Sequence, residues 1–172
     1  MIGKPKFGNC LEFRNEIIDL EKIENKFGIK TPPIYRSFIN NFKQITGEIV
    51  IDFTNNELKT LSYYVYKKSD GTDTLFEDFM PIEQSLENYD NSDSWIENKV
   101  MPIGNHSHGG GILIGIDSSN MDKIYYEYDS GVELIEPDIF SFIKNMTFVE
   151  NEEGIKNSIY KNWKDEYWRE PK

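Results

Sequence analysis

The sequence predicts an α+β fold, in which a mixed or antiparallel sheet of about five to six strands is backed by helices. In residues 100–128, β-branched and aromatic residues alternate with period two between clusters of Gly, Asn, Asp and Ser, which is typical of three meandering strands. In residues 15–42, apolar residues recur at three-and-four spacing, which indicates two amphipathic helices. A further helical pattern covers residues 137–146.

The two N-terminal helices are separated by a short connection. The first begins near Asn15 and ends at Gly28, because glycine tolerates the left-handed conformation at a helix C-terminus. Thr31 is predicted to cap the second helix with its hydroxyl, and proline is accepted in the first turn, where the N–H group has no intrahelical partner. We expect these helices to form an angled pair that covers one face of the sheet.

Two strands precede the meander and one follows it. EIVIDF and LSYYVY are rich in β-branched and aromatic residues. TNNEL is the predicted turn between them, with Asn55-Asn56 at its tip, and SDGTD is a predicted loop. VELI, after a DSG turn, is predicted to be a short last strand.

The segment between the second strand and the meander is acidic but contains apolar residues. Phe76, Phe79 and Met80 are expected to reach back to the core. Pro81 begins a weak helix that continues through Tyr89.

Two helices are predicted near the C-terminus. Pro137 fits the first turn of a helix that runs to Met146. From residue 150 to residue 172, charges alternate with apolar residues that recur every four positions, which predicts a terminal helix packing by that edge.

The length of 172 residues predicts a single domain over residues 1–172, with a core of about 16–148 and a helical extension of 150–172. Such a chain can bury a core without disulfides or metal, and its one cysteine, Cys10, cannot form an internal disulfide. No segment approaches the ~20 apolar residues of a membrane helix, and the N-terminus lacks an apolar signal core. A cytoplasmic protein that does not contact membranes is therefore expected.

Negative charge is concentrated in the middle of the chain. The net charge is −11, and residues 69–98 carry nine Asp and Glu but no Lys or Arg. This argues against nucleic acid as a partner, because its phosphates need a basic stripe. A basic protein partner is one interpretation, since a patch of one sign steers association. A solvated surface that serves solubility is the other.

The histidines do not indicate a metal site or a cofactor. His106 and His108 are the only histidines, and they lie in a glycine-rich loop without further His or Cys to complete a tetrahedral set. The triple glycine matches neither a dinucleotide fingerprint nor a Walker loop. A turn that requires positive φ angles explains it.

The order of the elements resembles a known family. A helix is followed by a glycine, a proline-led helix, two strands and an acidic middle (Phe76 to Ile82). A Trp then precedes a strand that ends in Pro-Ile-Gly (Pro102 to Gly104). A glycine-rich hairpin, an Ile-Tyr-Tyr strand (Ile124 to Tyr126) and a last helix with Phe140, Phe142 and Ile143 complete the order. This order, over roughly residues 16–148, resembles the SUKH superfamily, whose Smi/Knr-type members are mostly bacterial immunity proteins.

The resemblance implies an α+β domain that neutralises a polymorphic toxin by direct binding. Because the sequence shows no catalytic constellation, we expect it to act without catalysis, and its acids suit a nuclease toxin with a basic substrate cleft. If the partner is a cognate toxin, acidic side chains would contact the toxin and aromatic side chains would anchor it. The predicted contact residues are Asp70, Asp73, Glu77, Asp78, Asp90, Asp93, Tyr64, Tyr89 and Trp95. One alternative is a regulatory or small-molecule-binding domain with a groove between sheet and helices. Another is an enzyme built around His106, His108 or Cys10.

Overall fold

The structure is a computed structural model that describes residues 11–44, 49–52, 57–60, 62–68, 71, 73–106, 110–128 and 131–150. The helices are α1 (Leu20–Phe27), α2 (Pro33–Asn41), α3 (Ile82–Tyr89), α4 (Asp93–Asn98) and α5 (Ile139–Asn145). The strands are β1 (Leu11–Phe13), β2 (Phe42–Gln44), β3 (Ile49–Asp52), β4 (Glu57–Thr60), β5 (Ser62–Lys67), β6 (Asp73–Phe79), β7 (Val100–His106), β8 (Gly111–Gly115), β9 (Ile124–Tyr128), β10 (Gly131–Glu136) and β11 (Met146–Glu150).

The main sheet contains seven strands in the order β10-β9-β8-β7-β6-β5-β11. All of its neighbouring strands are antiparallel, which confirms the predicted α+β class and the meander of β7, β8 and β9. The sheet exceeds the predicted five to six strands because β6 and β11 join it. Acidic residues are depleted in strands, and this hid β6 in the sequence.

Two short hairpins lie outside the main sheet. β1 pairs with β2, and β3 pairs with β4. The predicted turn at TNNEL is too long, since Glu57 and Leu58 begin β4 and pair with Asp52 and Ile51. Its predicted tip, Asn55-Asn56, lies outside the described residues, as do the predicted terminal helix from residue 151 onwards and Cys10.

One face of the main sheet, here called the first face, carries the core. Ile112, Ile114 and Ile124 point to this face and join a buried cluster with residues of α1, α2, α3 and α5. Phe38 of α2 lies at its centre, with its ring centroid 5.3 Å from that of Phe79 and within stacking distance of several other rings. The apolar residues predicted to reach back from the acidic segment, Phe76, Phe79 and Met80, are buried as predicted.

The opposite face, here called the second face, is defined by alternation along the same strands. Leu113 of β8 lies on it, between Pro102 of β7 and Tyr125 of β9. Leu113 is fully buried but does not belong to the buried cluster of the first face. α4 contacts β7, and the side chain of its Trp95 reaches this face.

The N-terminus of α2 is capped differently from the prediction. The residue before the helix is Pro32, which has no side-chain hydrogen bond to offer. Asp122, in the turn between β8 and β9, accepts hydrogen bonds from the backbone N–H groups of Ile34 and Tyr35, both at 3.0 Å. Thr31 instead donates its N–H and its hydroxyl to the Glu24 carboxylate. The capping prediction for Thr31 is therefore wrong.

The N-terminus of α5 is also shifted by one residue from the prediction. Asp138 caps this helix by accepting from the N–H groups of Phe140 and Ser141, both at 2.9 Å. Pro137 therefore precedes the cap and does not lie in the first turn.

Candidate partner-binding surface

The predicted contact residues fall on β5, β6, α3 and α4 and on the turn between the two helices. Tyr64 lies in β5, Asp73, Glu77 and Asp78 lie in β6, Tyr89 ends α3, Asp90 follows it, and Asp93 and Trp95 lie in α4. Asp70 lies outside the described residues. The structure describes the side chains of Asp78, Tyr89, Asp90, Asp93 and Trp95.

Three of these residues lie at the junction of α3 and α4, here called the acidic corner and defined as Tyr89, Asp90 and Asp93. Asp90 is the C-cap of α3, and Ser92 begins α4 by accepting from the N–H group of Trp95 at 3.4 Å. Asp93 lies in the first turn of α4, where the helix dipole favours a negative charge. The short turn thus keeps both exposed carboxylates next to the half-buried Tyr89.

The environment of the Tyr89 hydroxyl agrees with this geometry. Its partial burial raises the pKa of Tyr89, and the nearby charge of Asp90 raises this pKa further, while Lys99 acts in the opposite direction. Tyr89 is therefore a neutral aromatic side chain beside the Asp90 carboxylate at neutral pH.

The second face carries Asp78, and the side chain of Trp95 reaches it. Asp78, Asn105 and Gly111 lie side by side on β6, β7 and β8, and Glu127 follows on β9 because Gly111 precedes the Ile112–Tyr126 pair. The Asn105 side-chain amide donates to Asp78 Oδ1 at 2.7 Å. Trp95 Nε1 donates to Glu127 Oε1 at 2.7 Å.

Residue 111 in this row is a glycine because a side chain there would meet its neighbours. A Cβ at position 111 would lie 3.1 Å from Glu127 Oε2 and 3.0 Å from Leu113 Cδ2, so a side chain there would crowd both groups. Gly111 thus leaves room for the carboxylate that accepts the indole N–H of Trp95.

Most of the described carboxylates in the acidic segment have no Lys or Arg partner among the described residues. Those with described side chains are Asp78, Glu83, Glu87, Asp90, Asp93 and Glu97. Of these, Glu87 lies 3.8 Å from Lys26, and within the described part of the chain no other has a Lys or Arg nitrogen within 4.0 Å. Lys99, which follows α4, pairs with Asp117 at 3.2 Å. The segment therefore presents uncompensated negative charge.

The structure brings the two groups together through α4, which holds Asp93 of the acidic corner and Trp95 of the second face. Sequence reasoning missed Glu127, Asn105 and Gly111. The alternation of Ile124, Tyr126 and Tyr128 already places Glu127 on the other face. Glu127 and Trp95 lie 32 positions apart in the sequence, and no local pattern predicts the hydrogen bond between them.

His106 belongs to an aromatic stack on the first face. It is buried, its ring centroid lies 4.4 Å from that of Tyr126, and its Nδ1 lies 3.2 Å from the Tyr126 hydroxyl. The ammonium of Lys68 lies 4.4 Å from the ring centroids of both Tyr126 and Tyr128. His108 lies outside the described residues, and the described residues contain no cluster of three or more His, Cys, Asp or Glu that could hold a metal ion.

A polar cleft of about 230 Å³ lies beside α1 and α2 and is lined by Glu21, Glu24, Asn25, Lys30 and Arg36. Arg36 Nη1 donates to both oxygens of Glu24, each at 2.8 Å. Burial by itself raises the pKa of Glu24, but the hydrogen bonds from Thr31 and Arg36 and the positive charge of Arg36 outweigh it, so the pKa lies below its ordinary value. The walls of this cleft are charged, unlike the apolar groove that a small-molecule-binding domain would offer between sheet and helices.

The comparisons with known proteins identify a family. In the described part of the chain, each helix is too short or too polar to cross a membrane. No protein with a curated description matches this sequence. The SMI1 / KNR4 family (SUKH-1) matches residues 17–165, which is most of the chain and includes every predicted contact residue. The chain therefore belongs to the SMI1 / KNR4 family (SUKH-1).

Proposed function

We propose that this protein is an immunity protein that binds and neutralises a cognate bacterial toxin without catalysis of its own. The observation that carries the proposal is family membership over residues 17–165, because the SUKH members that this chain resembles are mostly immunity proteins. The acidic segment supports it, because five of its described carboxylates have no Lys or Arg nitrogen within 4.0 Å among the described residues and so offer negative charge to a basic partner.

The mechanism that fits this surface is electrostatic blockade. If the toxin is a nuclease, its substrate cleft is basic, and carboxylates at the acidic corner would occupy the positions that phosphates take in the substrate. Complementary charge accelerates association and suppresses wrong partners. Asp70, Asp73, Glu77 and Asp78 would extend the contact along β6, and Tyr64, Tyr89 and Trp95 would anchor it by apolar area.

The test begins with the genes next to this one, where the proposal expects a protein with a toxin-like C-terminal domain, and it uses that domain. Expression of that domain should arrest growth, and co-expression of this protein should restore it. In vitro, the Kd should rise as salt increases from about 50 mM to about 500 mM, because screening shortens the reach of the carboxylates. Growth arrest that persists at equal expression would contradict the proposal. An affinity indifferent to salt would remove its electrostatic part.

Neutralisation by binding must also be stoichiometric. Titration of the toxin domain with this protein should abolish toxin activity at a one-to-one ratio, and toxin separated from the complex by denaturation and refolding should regain activity. Complete inactivation at a small fraction of this ratio would indicate catalysis and would overturn the non-enzymatic mechanism.

A further inference from the structure

We propose that the second face around Trp95 is the docking surface for a basic partner and that it takes an arginine side chain, which stacks on the Trp95 indole and pairs with Glu127. This inference deepens the proposed function and rests on it for the identity of the partner. The chemistry of the surface itself is testable without the toxin.

The surface has an apolar centre. Leu134 of β10 pairs with Tyr125 of β9, so that both side chains lie on the second face. Leu134 is 54% exposed, and Tyr125 and Trp95 are half-buried. Aromatic residues surrounded by polar groups are the usual composition of a binding hot spot.

The rim of this surface is acidic. Asp78 and Glu127 both lie on the second face. Neither has a Lys or Arg nitrogen within 4.0 Å in the described ranges. An apolar centre with an uncompensated negative rim is complementary to a partner that presents cations with apolar stems.

Trp95 is held in place before any partner arrives. Its Nε1 donates to Glu127 Oε1 at 2.7 Å, and Gly111 leaves the space that the Glu127 carboxylate occupies. Because the indole is already oriented, binding does not require the full cost of ordering this side chain. Glu127 therefore positions Trp95 and retains its second oxygen, Oε2, as an acceptor.

The arrangement favours arginine over lysine. A guanidinium group is planar, stacks on an aromatic face and donates to a carboxylate from the same position, whereas an ammonium group acts as a strongly hydrated point charge. The Trp95 indole N–H is bonded to the Glu127 carboxylate, so one guanidinium group can stack on the ring and donate to the carboxylate at the same time.

Fluorescence titration with short peptides tests this inference. Trp163→Phe and Trp168→Phe leave Trp95 as the reporting tryptophan. Hexa-arginine should change its emission and bind about fivefold tighter than hexalysine, which corresponds to one stacked cation–π contact. Equal affinity for the two peptides, or no change in emission with either, would overturn the inference.

Matched variants separate this surface from general negative charge. Glu127→Gln and Glu83→Gln remove the same charge, but Glu83 is an exposed residue of α3 outside the surface. Glu127→Gln should weaken hexa-arginine binding about fivefold, and Glu83→Gln should leave it nearly unchanged. Equal losses in both variants would show that binding is diffuse and would contradict the inference. Trp95→Tyr, which keeps an aromatic ring, should retain part of the preference for arginine.

The outcomes distinguish this inference from the proposed function. If hexa-arginine binds as expected but the toxin domain still arrests growth, the proposed function fails and the docking chemistry stands. If the wild-type protein protects cells and Trp95→Ala and Glu127→Gln protect them equally well, the docking surface is wrong and the function stands. Thermal unfolding of each variant shows that the comparison concerns folded protein.

Discussion

Two sets of carboxylates in this protein have opposite environments. Glu24 and Asp122 are buried and accept hydrogen bonds from backbone N–H groups, and they join α1 to α2 and α2 to the turn after β8. Asp90 and Asp93 are exposed and have no Lys or Arg nitrogen within 4.0 Å in the described part of the chain. The net charge of −11 does not separate these roles, because the partners of each carboxylate determine whether it stabilises the fold or remains available for binding.

Asp122→Ala should have the largest effect on stability. Asp122 accepts the N–H groups of Ile34 and Tyr35 and has a positive φ of 65°, where alanine is strained. We expect the free energy of unfolding to fall by about 2–3 kcal/mol in urea denaturation. Asp122→Asn is the control, because asparagine keeps an acceptor oxygen and tolerates this φ, so it should lose clearly less. Equal losses would mean that the cap does not hold this turn to α2.

Glu24→Ala should rank second. This change leaves the buried N–H and hydroxyl of Thr31 without their acceptor and removes the partner of Arg36. A loss of about 1–3 kcal/mol is expected from urea unfolding. Thr31→Val, which removes the hydroxyl and keeps the side-chain shape, should lose less, since the backbone N–H of residue 31 still reaches Glu24.

Acid should weaken the fold partly through Glu24. Its pKa in the folded protein lies below the ordinary value of 4.5, so folding favours the ionised form. The stabilisation is present above about pH 4.5 and is lost as the pH falls through the folded pKa. In urea unfolding at pH values on both sides of this range, Glu24→Gln should lose less stability on acidification than the wild-type protein. An identical decline in both proteins would exclude this contribution.

The smallest effect on stability is expected at the acidic corner. Asp90→Asn and Asp93→Asn should each change the free energy of unfolding by no more than about 0.5 kcal/mol, because these side chains are exposed and pair with no cation among the described residues. Asp93 lies in the first turn of α4, so its variant should show the slightly larger loss. A loss of about 2 kcal/mol or more would approach the cost of breaking a buried ion pair. It would show that these acids stabilise the fold, as Glu24 and Asp122 do.

The sequence predicted the parts of the fold that depend on local periodicity. The meander of β7, β8 and β9, both N-terminal helices and α3 follow from the spacing of apolar residues. The predicted start of the first helix near Asn15 is wrong, because Asp19 caps α1 and the helix begins at Leu20. β6 could not be predicted in this way because its acidic residues are uncommon in strands, and β11 could not because it pairs with β5, which lies far earlier in the chain. The cap of α2 was also out of reach, since Asp122 lies 88 positions from Ile34.

The candidate surface was predicted in composition but not in geometry. The charge count identified Asp78, Asp90 and Asp93, and the aromatic residues Tyr89 and Trp95 were named beside them. Their faces are set by strand register and by the turn between α3 and α4. In the strand that contains Glu127, the sequence pattern identifies only the core residues. The contact of Glu127 with Trp95 is therefore visible only in the structure. The single domain over residues 1–172, the cytoplasmic location and the absence of a cofactor stay predictions.

The most direct test compares stability and toxin affinity in the same variant. The double variant Asp90→Asn/Asp93→Asn should unfold at the same urea concentration as the wild-type protein and should bind the toxin domain at least about tenfold more weakly, because loss of complementary charge lowers the association rate. Its affinity should also depend less on salt. Unchanged affinity, or a loss of stability equal to that of Asp122→Ala, would contradict the division between structural and binding carboxylates.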